Sequence, residues 1–230
     1  REATEPDAGV ADAGMVGLQL PEQSYYMLQN GVFSTVESAE LAKKALDDAG
    51  FAGMIYENES DGSFYVYAAV LQNRDNALWL AHQLQAQQFE TYIKSFVIPA
   101  ATSVQWNGDE PEMLQQFVAE SHKLAQMFIG VSFLHLQKDE PIAPEESTLT
   151  EVTQQHLQWN ETLNAISTAV PESVEPVLKQ MSSVMNTAVV SLDEYRKNPS
   201  HSYQWQIQGS MIQFLTLQKQ MLEQIAPATA

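Results

Sequence analysis

Tyr26-Met27-Leu28-Gln29-Asn30-Gly31-Val32-Phe33-Ser34 opens a unit that begins again at Phe64-Tyr65-Val66-Tyr67. Phe51 follows the helical stretch of the first unit and Phe89 follows that of the second. Tyr26 to Phe64 and Phe51 to Phe89 are both steps of 38 residues. The same step carries Ala39 onto Ala77, Leu46 onto Leu84 and Ile55 onto Ile93. A duplicated strand–helix–strand folds most simply as βαββαβ, a single sheet with both helices on one face. The other face is then free to bind.

Tyr25 to Phe33 is rich in strand formers, and Asn30-Gly31 marks a kink or an end. Ser34, with Glu37 three residues on, has the form of a capping box. Val36, Ala39, Leu41, Ala42, Ala45 and Leu46 follow at helical spacing, and Gly50 is placed to close the helix. Phe51 to Tyr56 and Phe64 to Leu71 read as the second and third strands. Asn73 or Asp75 caps a second helix whose inner side is Ala77, Leu80, Ala81 and Leu84. Phe89 to Ile98 is the last strand, stopped by Pro99.

Past residue 100 the texture changes. Residues 101–111 read as a polar linker. Beyond it, Met113, Phe117, Leu124, Phe128 and Val131 mark a long amphipathic helix. Three more such stripes follow, one through Trp159, one through Met181 and Met185, and one through Met211 and Phe214. Four amphipathic helices on short connections favour an antiparallel bundle. The expected class is therefore α+β: a βαββαβ sheet over residues 22–100, then an all-α domain over residues 112–230. Residues 1–21, rich in Ala, Gly and acids, read as a flexible leader.

Composition narrows the function. The chain has 230 residues and a formal net charge of −18, with 11 basic residues against 29 acidic ones. Such a field repels phosphate backbones and anionic lipid, so no nucleic acid partner is expected. A neutral polymer or another protein remains. With no cysteine there are no disulfides and no thiolate metal sites. No stretch approaches the roughly 20 apolar residues of a membrane helix.

The string Gln29-Asn30-Gly31-Val32-Phe33-Ser34, the Ala-rich helix after it and Ala49-Gly50-Phe51 resemble the SPOR domain over residues 24–99. The resemblance implies a ferredoxin-like sheet that binds peptidoglycan, favouring glycan strands stripped of their stem peptides. The whole chain is similar in layout to the extracytoplasmic part of sporulation proteins anchored in the membrane of endospore formers. That implies a septal role in sporulation division and engulfment, with an anchor upstream of residue 1. Other septal proteins could meet the helical domain.

On the family's open sheet face, Gln29 matches the glutamine, Tyr65 stands where many members carry an arginine, and Ile93 falls on an apolar position of the last strand. Ala69 replaces a usual glycine. Alternation puts Met27 and Gln29 on one face of their strand, and Tyr65 and Tyr67 on one face of theirs. Met27, Gln29, Tyr65, Tyr67 and Ile93 form the expected glycan site. Sugar faces would rest on the tyrosines, and hydroxyl and N-acetyl groups would bond Gln29. The competing reading has this face packed on the helical bundle, leaving a protein–protein scaffold that does not touch glycan.

His122, His135, His156 and His201 show no metal-ligand spacing, and no metal or cofactor is expected. No phosphate loop, nucleophile elbow or paired-carboxylate motif appears, so no catalysis is assigned. Trp159 and Trp205 read as core anchors of the bundle.

Overall fold

The structure, a computed structural model, describes residues 14–58 and 61–226. Its strands are β1 (Gly14–Leu20), β2 (Gln23–Phe33), β3 (Met54–Asn58), β4 (Ser63–Leu71), β5 (Tyr92–Ile98) and β6 (Ala101–Trp106). Its α-helices are α1 (Val36–Asp48), α2 (Arg74–Ala86), α3 (Glu112–Leu136), α4 (Glu146–Ile166), α5 (Glu175–Lys197) and α6 (His201–Ile225). The α+β expectation holds: a sheet with two helices, then a helical C-terminal region.

The duplication is physical as well as textual. Helices α1 and α2 begin and end at equivalent residues, and so do their caps. Thr35 Oγ1 accepts from Ser38 N–H at 3.3 Å, and Asn73 Oδ1 accepts from Asn76 N–H at 2.9 Å. Thr35, not Ser34, is thus the first cap. Both helices close alike: Phe51 N–H donates to Leu46 C=O and Phe89 N–H to Leu84 C=O, each at 3.0 Å. The residue before each phenylalanine is left-handed, Gly50 at φ 87° and Gln88 at φ 69°.

The four-stranded sheet runs β3-β4-β2-β5, antiparallel throughout. Between β2 and β4, Leu28 faces Ala69, Gln29 faces Tyr67 and Gly31 faces Val66. Asn30 and Ala68, equivalent in the repeat, are therefore left out of the ladder as a pair of bulges. Beside its bulge Gly31 leaves room for Phe33: an added Cβ would lie 2.7 Å from that ring, which would have to shift.

One sheet face supplies Leu28, Val66 and Ala68 to a core with Ala39, Leu46, Ala77, Leu80 and Leu84 of α1 and α2. The other face is not open. Tyr25, Met27, Val70 and Ile98 share a second core with Phe117, Phe128, Trp159, Met211 and Phe214 of the helical region. Helices α3 and α6 lie across this face. Polar contacts fix their position. Val70 N–H donates out of the sheet to Gln208 Oε1 at 2.8 Å, and Gln208 Nε2 donates to Ser132 Oγ at 2.7 Å. Tyr25 Oη meets His122 Nδ1 at 2.5 Å, and Gln218 Nε2 donates to Gln23 Oε1 at 3.4 Å. The unbroken apolar run Ala68-Ala69-Val70-Leu71 is the sequence mark of a strand buried on both sides.

Two further expectations change. Residues 14–20 are not leader but strand β1, and residues 101–106 are not linker but strand β6. The two pair antiparallel, Val16 facing Val104. Leu18, Leu20, Val104 and Trp106 join the core under the bundle, and burial of those side chains is what orders both segments. The rest of the expected leader, residues 1–13, and the last four residues of the expected helical domain lie outside the described residues.

Candidate functional site

The expected glycan residues do not come together as one exposed set. Met27 is 0% exposed beneath the bundle, and Gln29 is 6% exposed. Ile93 faces Leu28 across the β2–β5 ladder and packs on the α1–α2 side, so it belongs to the opposite face. The cause is parity: Ile93 shares the face of Leu28, not that of Met27 and Gln29. Tyr65 and Tyr67 remain at the surface in part.

Those two tyrosines define what is left of the face beyond α6. Their rings stack with centroids 6.3 Å apart and planes 13° apart. Tyr56 of β3, paired with Tyr65, continues the strip at 6.4 Å. Val32 of β2, 48% exposed, pairs Tyr65 on its other side. Tyr92 of β5, 57% exposed, pairs Gln29. The result is a half-exposed aromatic shelf of Tyr56, Tyr65 and Tyr67, with Gln29 sunk beside Tyr67.

The shelf is organised electrostatically at one end. Tyr65 Oη donates to Asp61 Oδ2 at 3.0 Å. Ser63 N–H donates to Asp61 Oδ1 at 2.8 Å, and this backbone bond is the main cause that holds the Asp61 carboxyl below its ordinary range. Asp61 is thus an anion that orients the Tyr65 hydroxyl. Burial against the core pushes the Tyr67 phenol up to about 12, so it stays a neutral donor. Flat apolar rings with fixed hydroxyls suit a ligand with apolar faces and polar edges.

Sequence reading missed Tyr56 and Tyr92. The alternation Met54-Ile55-Tyr56 carried the signal for the first, since Ile55 packs toward α1 and α2 and Tyr56 must then face the other way. Three of the candidate histidines are held by side-chain hydrogen bonds, whereas His201 Nε2 is buried with no hydrogen-bond partner among the described residues. His122 bonds Tyr25, His135 meets Tyr195 Oη at 3.2 Å, and His156 meets Asn160 Nδ2 at 3.0 Å. Among the described residues no group of His, Asp and Glu is arranged to hold a metal. No helix among them is long and apolar enough to cross a membrane.

No family model matches this chain, and no curated protein matches it. Among solved structures it matches the solution structure of the peptidoglycan binding domain of the B. subtilis cell wall lytic enzyme CwlC. The identity is 20%, the match covers 32% of this chain and 91% of that one, and the TM-score is 0.29.

Proposed function

We propose that this protein is a non-catalytic binder of peptidoglycan, outside the cytoplasm, that grips denuded glycan strands on the tyrosine shelf. The observation that supports it is the placement of Tyr56, Tyr65 and Tyr67. They form the partly exposed remainder of the sheet face to which the SPOR resemblance assigns glycan. The same resemblance extends the reading to a septal protein of sporulation division and engulfment, tethered by a membrane anchor upstream. Recognition rests on stacking and hydrogen bonds to a neutral chain, so it fits a protein of net charge −18.

Co-sedimentation of the full chain with purified sacculi, with and without amidase treatment, tests this directly. Greater pelleting on amidase-treated wall, persisting at high salt, is the expected result. Failure to pellet on either wall would overturn glycan binding. Release of muropeptides during the incubation would overturn the non-catalytic assignment.

The burial of Met27 and Gln29 favours a second reading. In it the sheet has surrendered its ligand face to the bundle, and the molecule serves as a protein–protein scaffold at the septum.

A further inference from the structure

We infer that the groove between α2 and the free edge of β5 takes an extended acidic peptide, which adds to the sheet as a further strand. This inference does not depend on the glycan reading; its groove lies at the β5 edge and shares only Tyr92 with the tyrosine face. The sheet order ends at β5, so among the described residues its outer edge has no strand partner. Beside that edge lies a groove of about 540 Å³, bordered by Arg74, Leu78 and His82 of α2, by Glu90, and by Tyr92, Ile93 and Lys94 of β5, so two cations face one carboxylate there. Leu78 is 42% exposed and Tyr92 57% exposed, so the groove offers apolar contact beside a hydrogen-bonding edge. An exposed strand edge with adjacent side-chain pockets is the geometry of β-strand addition.

Charge chooses the occupant. Basic residues are scarce in this chain, 11 against 29 acidic. Among the described residues neither Arg74 nor Lys94 forms an ion pair. Arg74 stands in the first turn of α2, where the helix dipole disfavours a cation, so its position does not serve the helix.

The internal repeat provides the control. Stepping back by 38 residues gives the α1–β3 groove, where Lys44 stands for His82 and Gly53 for Thr91. There Lys43 pairs with Asp47 and Lys44 with Asp48. An added Cβ at Gly53 would lie 2.9 Å from Lys43 Cγ, so helix and strand close together. In the first copy the lysines are paired and helix and strand approach closely at Gly53, whereas in the second Arg74 and Lys94 form no ion pair among the described residues and border an open groove that holds one carboxylate, Glu90.

The test uses the full chain and a short synthetic peptide alternating glutamate with valine, labelled for fluorescence anisotropy. Saturable binding that weakens with salt is expected, with slowed amide exchange along Tyr92–Ile98. Arg74→Glu with Lys94→Glu should weaken it about tenfold or more while the thermal midpoint holds, since neither residue is buried. No binding, equal binding of a lysine–valine peptide, or binding without protection of the β5 amides would overturn the inference. Displacement of the peptide by polyphosphate at equal charge would reassign the groove to anions in general. Self-association that protects the same amides and excludes the peptide would reassign the edge to a second copy of the chain.

Discussion

Tyr65 and Met27 were equal members of the expected site, and their surroundings separate them. Tyr65 is half exposed and stacked on Tyr67. Tyr65→Ala should weaken wall binding about tenfold and shift stability by less than about 1 kcal/mol, checked by sedimentation beside thermal melts. Met27 is buried under the bundle, so Met27→Ala should cost about 2–5 kcal/mol of stability, read from denaturant midpoints. If Tyr65→Ala unfolded the protein as severely, the shelf would be packing and not a site. The histidines give a pH prediction. Burial holds His122, His135 and His156 below their ordinary value of 6.5. Protons then bind the unfolded chain first. The associated stability is complete above pH 6.5 and is lost as pH falls toward the depressed folded values. His122→Phe should flatten that acid limb in urea titrations from pH 7.5 to 5 (roughly the range where histidine titrates); an unchanged limb would exclude His122 as a contributor.

At the level of elements, the repeat made α1 and α2 readable, because capping and apolar spacing are local properties of the chain. Gly50 was placed correctly as the left-handed residue after α1. Its counterpart Gln88 adopts the same conformation with a side chain that disfavours it. Gln88→Gly should therefore stabilise the protein by about 1 kcal/mol, measured by chemical denaturation, with no effect on wall binding. Strands β1 and β6 were not readable. Each is short, and neither has a local partner: they pair across the whole β2–β5 segment. The signal available was the apolar alternation of Val16, Leu18 and Leu20, which composition rich in Gly and acid obscured. The paired bulges were only half visible, at Asn30-Gly31 but not at Ala68-Ala69, where alanine hides the irregularity.

For the whole molecule, the main result is that sheet and bundle share one core. Residues 22–100 alone would expose Tyr25, Met27, Val70 and Ile98. That fragment should bind an apolar dye and self-associate, and residues 112–230 added in trans should suppress both, as sedimentation velocity and dye fluorescence would report. A monomeric, dye-silent fragment would mean that the bundle is an accessory and that the full sheet face can open.

Local sequence pattern was enough for the βαββαβ repeat, the approximate extent of α1 and α2, the four amphipathic C-terminal helices and the shared face of Tyr65 and Tyr67. All follow from periodicity and capping, which act over a few residues. Long-range packing set which sheet face stays accessible, the β2–β5 register that puts Ile93 on the Leu28 side, and the pairing of β1 with β6. Those outcomes depend on contacts such as Val70 with Gln208 and Tyr25 with His122, made between residues far apart in the chain. Alternation assigns a side chain to one of two faces, but only packing determines what covers each face.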